Sequence, residues 1–141
     1  MKQVFSDSNG IALAAQSIKD GQVIIFPTDT VYGIGCNPYD ENAVNRIYTM
    51  KKQDETKPLP ILGYSKHILE NIVKFDEISN KIVEKFWPGQ LTVVLPLKDS
   101  RLKKLSGIGD TLAVRIPNNK CTLALLKECK LIVGTSANIS G

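Results

Sequence analysis

The sequence predicts a single-domain α/β fold, a mixed sheet flanked by helices, and three observations carry that expectation. Helical and strand-like patterns alternate along the chain, and the strand-like runs are short and rich in branched residues. Two of those runs, between Leu91 and Pro117, follow one another with no helix between them, which favours a mixed sheet. The chain has 141 residues, 43% hydrophobic and 23% charged, which is enough apolar material for one compact core and too much for a disordered segment.

The elements follow in order. "SNGIALAAQSIKDG" predicts a helix capped by Ser8 and stopped at Gly21, with Ile11, Ala14, Ala15 and Ile18 on one face. "QVIIF" is a short apolar strand ended by Pro27. A second helix begins behind Asp40, where Ala43, Val44, Ile47 and Tyr48 recur at helical spacing, and its end puts Lys51 beside the next loop. Leu59 to Leu62 is expected to form a strand whose edge the prolines of "KPLP" restrict. "SKHILENIV" and "SNKIVEKFW" predict two helices, the latter closed by Pro88-Gly89. On it Ile82, Val83 and Phe86 extend one apolar face, so Trp87 reads as a core anchor. "LTVVLPL", "TLAVRIP" and "LIVGTS" are strands, with a helix from about Cys121 to Cys129 between the last two.

Composition narrows the function classes. No apolar run approaches the roughly 20 residues of a membrane span, and "MKQVFSDSNG" lacks the apolar block of a secretory signal, so a cytoplasmic protein with no membrane partner is expected. Cys36, Cys121 and Cys129 are odd in number without CxxC spacing, and His67 is the sole histidine, which suggests neither a disulfide frame nor a protein-held metal. The net charge of +4 favours a polyanionic partner such as a nucleotide or RNA, with "RLKK" read as a solvated charge run. GxSxG, GxxxxGK[ST] and a post-strand GxGxxG are all absent.

Polar groups recur at strand ends: "PTDT" after "VIIF", "KPLP" before "ILG", "RIPNN" after "LAV" and "TSANISG" after "LIVG". Loops at strand ends converge on ligands in open α/β sheets, so one composite site is expected, although Thr28 with Asp29, or Ser136 with Asn138, would serve equally as turn caps. Lys51, Lys57 and Arg115 offer fixed positive charge, and Thr28, Thr30, Ser136 and Asn138 offer small hydrogen-bonding groups. Gly33 and Gly35 are read as letting backbone pass close to a ligand. Together these suit phosphate and a small polar metabolite.

"PTDTVYGIG", "IYTMKKQDETKPLPIL", "WPGQLTVVL", "LAVRIPNN" and "GTSANISG" resemble, in order and spacing, the YrdC-like threonylcarbamoyl-AMP synthases from Pro27 to Gly141. The resemblance implies a twisted YrdC-like fold with a concave basic cavity. It also implies a nucleotidyltransferase that makes threonylcarbamoyl-AMP and pyrophosphate from L-threonine, bicarbonate and ATP, for threonylcarbamoyladenosine at position 37 of tRNA. By resemblance, Thr28, Thr30 and Tyr32 line the threonine side, and Lys51 is the catalytic lysine of the KxR pair near the phosphates. Thr92, Arg115, Ser136 and Asn138 match nucleotide-side positions, with Lys57 a further cation for phosphate. Mg2+ arrives with ATP; tRNA or other RNA and a tRNA threonylcarbamoyl-transfer complex are the macromolecular partners the resemblance suggests.

Two departures stand out. Gln53 occupies the place of the KxR arginine, and the chain stops directly after "SANISG", so the expected domain spans residues 1–141 without the usual C-terminal extension. Family members often carry a histidine where this chain has Leu62. Two other readings stay open: an RNA-binding or regulatory module with weakened catalysis, and an enzyme of carbamoyl phosphate.

Overall fold

The computed structural model describes residues 7–29, 32–54 and 56–137. Five α-helices are described: α1 (Ser8–Lys19), α2 (Glu41–Lys51), α3 (Lys66–Leu69), α4 (Glu77–Phe86) and α5 (Lys120–Cys129). Six strands form one sheet: β1 (Ile24–Phe26), β2 (Gly33–Cys36), β3 (Ile61–Gly63), β4 (Val93–Pro96), β5 (Thr111–Arg115) and β6 (Leu131–Ser136). Their spatial order is β1-β2-β6-β3-β5-β4, and only β3–β5 is parallel, so the sheet is mixed as expected.

Strand alternation sorts the side chains into two cores. On one face Cys36, Ile61, Leu112, Val114 and Val133 pack under α2 through Ala43, Val44, Ile47 and Tyr48. On the other, Phe26, Leu62 and Ile132 pack under α1 and α5 through Ala15, Ile18, Leu125 and Leu126. That second cover lies over the β1 to β3 part of the sheet. Toward β4 the same face is open, with Val94 62% exposed. Arg115, next to Val114 in sequence, emerges on this half-covered face.

Several boundaries differ from expectation for identifiable reasons. Asp7, not Ser8, caps α1, its carboxylate accepting from the Gly10 N–H at 2.8 Å. The α4 helix begins at Glu77 because Asp76 and Ser79 form a reciprocal capping box there. Of its apolar side chains Val83 is buried, whereas Ile82 and Phe86 remain exposed, so the shared apolar face is narrower than the spacing suggests. Trp87 does pack on the first core, edge-on to Phe75 at 6.1 Å between ring centroids. "RLKK" belongs to a 3-10 helix, Ser100–Ser106, that buries Leu102 and Leu105, and is not simply a solvated run.

The largest departure concerns "PTDTVYGIG". Its second half is strand β2, held between β1 and β6, with Gly33 opposite Phe26 and Gly35 opposite Gly134. Gly35 makes room for protein, since a Cβ there would lie 2.0 Å from the Val133 carbonyl oxygen and 2.7 Å from the Phe26 ring, whereas Gly33 also lines a cavity.

Candidate active site

The sheet's half-covered face opens into a cavity of about 300 Å³ lined by residues that include Thr28, Tyr32, Thr92, Arg115 and Ser136. Four separate segments deliver them: the β1–β2 loop, the approach to β4, the end of β5 and the end of β6. Phe26, Pro60 and Leu62 form its apolar wall, so Leu62 does face the site that its sequence position suggests. His67 is exposed on α3 and is not among the lining residues.

Backbone pairing sets the cavity mouth. The Ala137 N–H donates to the Tyr32 carbonyl at 3.0 Å, extending the β2–β6 ladder one step past Gly33 and Ser136. Tyr32 is 65% exposed at that mouth.

Lys51 approaches from the opposite face, at the last turn of α2. Its Nζ donates to Thr135 Oγ1 at 3.0 Å and to the Ser136 carbonyl at 2.9 Å. The ammonium therefore touches the strand end that lines the cavity, and burial pulls its pKa below the 10.5 of an ordinary lysine. The α2 helix ends immediately afterwards, with Lys52 in the left-handed region at φ 53° and the Gln53 N–H donating to the Tyr48 carbonyl at 2.9 Å. Lys57 is exposed and not a lining residue; its carbonyl accepts from the Tyr48 hydroxyl at 2.8 Å. Thr30 and Asn138 lie outside the described residues.

Arg115 is 8% exposed and pairs with Asp29 through Nη2 and Oδ1. The other Asp29 oxygen accepts from the Asn118 N–H at 3.2 Å, and the Thr122 hydroxyl donates to the Pro27 carbonyl. The short Pro27–Asp29 segment is thus fastened at one end to the first turn of α5 and at the other to the end of β5 and the connection after it. Asp29, Thr122 and Thr135 were not singled out as site residues from sequence; Asp29 looked like a turn residue, and nothing local marks its partner 86 positions away. Among the described residues no group of three His, Cys, Asp or Glu side chains is placed to hold a metal ion.

Residues 16–141 match the family model of Sua5, YciO and YrdC, which carries the description "Telomere recombination". The chain belongs to the Sua5/YciO/YrdC family. A threonylcarbamoyl-AMP synthase of Pyrococcus abyssi is 41% identical over 133 residues, covering 93% of this chain and 39% of the relative. That of Pseudoalteromonas translucida is 34% identical over 142 residues, covering 96% of this chain and 75% of the relative. The solved P. abyssi Sua5 in complex with L-threonine superposes with a TM-score of 0.90 at 39% identity, covering 99% of this chain and 41% of that one. The chain therefore spans about two fifths of the length of the P. abyssi relative. The fold class stands on the same likeness, down to E. coli YciO at TM-score 0.85 and 24% identity.

Proposed function

We propose that this chain carries the synthase site of an L-threonylcarbamoyladenylate synthase, joining L-threonine, bicarbonate and ATP into threonylcarbamoyl-AMP with release of pyrophosphate. The observation that supports it most is convergence: Thr28, Tyr32, Thr92, Arg115 and Ser136, predicted from separate motifs, line a single cavity. Its relatives carry the synthase name, and one of similar fold was solved with L-threonine. The volume lies at the small end of ligand pockets, suited to an amino acid or one end of a nucleotide.

The chemistry asks for little beyond charge and position. Threonine's amine and bicarbonate form a carbamate with loss of water; a carbamate oxygen then attacks the α-phosphorus of ATP, and pyrophosphate leaves. No covalent enzyme intermediate is needed. What lowers the barrier is alignment of two anions and neutralisation of the charge gathering at phosphorus. In this reading Thr28, Tyr32 and the undescribed Thr30 hold threonine. Arg115, Thr92, Ser136, Asn138 and Lys57 hold the nucleotide, and Lys51 supplies the cation nearest the reacting phosphate. Magnesium enters as part of the substrate, Mg-ATP. The product feeds tRNA modification at position 37, in the cytoplasm, in contact with tRNA and a threonylcarbamoyl-transfer complex.

Pyrophosphate release in the presence of threonine, bicarbonate and Mg-ATP tests the proposal. Release that stops when threonine is omitted is the expected result; folded protein without threonine-dependent release sinks it. Gln53 supports a second reading, because a neutral amide stands where the KxR guanidinium would meet phosphate. In that reading the chain is a catalytically weakened RNA-binding or regulatory module. Tight RNA binding that weakens steeply with salt, without ATP affinity, is its signature.

A further inference from the structure

We propose that Asp29 is a positioning residue for this site, acting through Arg115. The inference rests on the synthase reading for its kinetic consequence, while its physical content concerns two side chains of the cavity. Asp29 and Arg115 form an ion pair whose side chains are 13% and 10% exposed. Buried pairs of this kind are weak sources of stability, since desolvation offsets most of the attraction, so stability alone is a poor explanation for one.

The geometry supplies a better one. A guanidinium has five N–H donors in a rigid plane. Asp29 takes Nη2, the Gln90 carbonyl takes Nη1 at a long 3.5 Å, and Nε is buried without a partner among the described residues. Asp29 thus fixes one edge of a guanidinium that lines the cavity, and its five N–H donors outnumber the two acceptors it meets among the described residues. A fixed fork with capacity to spare suits an anionic oxygen, either the carboxylate of the amino acid or a phosphate of the nucleotide.

Asp29 also sets the loop that brings Thr28 to the same cavity. One carboxylate oxygen meets Arg115 on β5, the other the Asn118 N–H beyond it, so a single group registers the β1–β2 loop against the strand that carries the cation. Loss of its charge frees the guanidinium to rotate, while an amide at position 29 still accepts from Asn118.

The test compares the parent, Asp29→Asn, Arg115→Gln and the double variant. Asp29→Asn, which leaves a buried guanidinium without its counter-charge, is expected to fold with a lowered melting temperature and to raise the KM for threonine or for ATP roughly tenfold or more, with kcat changed less. Whichever KM moves tells carboxylate from phosphate. In the Arg115→Gln background the same change is expected to add nothing, because its effect runs through the arginine. An unchanged KM in Asp29→Asn, or losses that add in the double variant, overturns the proposal. A parent with no turnover sinks the synthase reading instead, and nitrogen-15 NMR of the arginine side chains then decides the point. Arg115 is expected to give slowly rotating guanidinium signals in the parent that average in Asp29→Asn; signals the substitution leaves unaltered refute the clamp.

Discussion

Lys51 gives up hydration to donate to Thr135 Oγ1 and the Ser136 carbonyl, and that burial lowers its pKa from the usual 10.5. The sign for stability follows. Between the lowered folded value and 10.5 the unfolded chain binds more protons, so this group's contribution to stability rises with pH across that window. In the proposed mechanism its contribution to chemistry runs the other way, because the cation is lost as pH climbs through the folded value. Turnover is expected to fall on the alkaline side before an ordinary lysine would titrate. Lys51→Arg, charged throughout, is expected to push that limb upward; coincident limbs would remove the Lys51 proton from the rate. Lys51→Ala is expected to cost turnover about 10²- to 10³-fold, the scale of losing one charge-stabilising donor, while changing the melting temperature far less. Lys51 and Arg115 stand out in the sequence as cations at the ends of apolar elements, and the structure places Arg115 in the cavity lining and Lys51 against the β6 end that bounds it. Asp29 does not stand out, since its partner is set by the sheet order and not by local spacing.

Strand β2 shows why one element was misread. Glycine is depleted in strands, so Gly33 and Gly35 inside "VYGIG" read as room for a ligand and not as part of a strand. The strand exists because Phe26 lies across those two positions and needs the space a side chain would fill. Gly35→Ala is expected to destabilise by about 3 kcal/mol, the upper range of overpacking, because its Cβ would meet the Val133 carbonyl. Gly109→Ala, whose Cβ would find its nearest neighbour at 3.9 Å, serves as the control in the same urea titration. Equal midpoints for the two variants would contradict the packing account.

The 3-10 helix carries a pH signature. Asp99, its N-cap, is held down to about 2 from 3.8, first by the Arg101 guanidinium and also by the Tyr39 hydroxyl at 2.9 Å. Burial and that same bond push the Tyr39 hydroxyl up to about 12. The depressed carboxylate stabilises the fold fully above 3.8 and loses that contribution as pH falls through about 2. Asp99→Asn is therefore expected to be less stable than the parent at neutral pH, with the gap closing toward pH 2; a gap independent of pH in thermal melts would contradict this.

At the scale of the whole molecule, alternation of helix and strand patterns was enough to expect a mixed sheet, and the motif ends were enough to expect one site. The strand order was not legible, because β6 inserts between β2 and β3 through pairings that span most of the chain. That insertion matters for the site: it sets Ser136 beside Gly33 and puts Thr135 within reach of Lys51. The cavity is thus a product of topology. Its half-covered face leaves Val94 and the β4 side open.

The central claim, that this cavity joins threonine and bicarbonate to the α-phosphate of ATP, is tested most directly by mass spectrometry of the reaction mixture with carbon-13 bicarbonate, L-threonine and Mg-ATP. The account predicts an adenylate that contains threonine and one labelled carbon, formed together with pyrophosphate and lost in Lys51→Ala. An adenylate without the label, or no adenylate from folded protein, would contradict it.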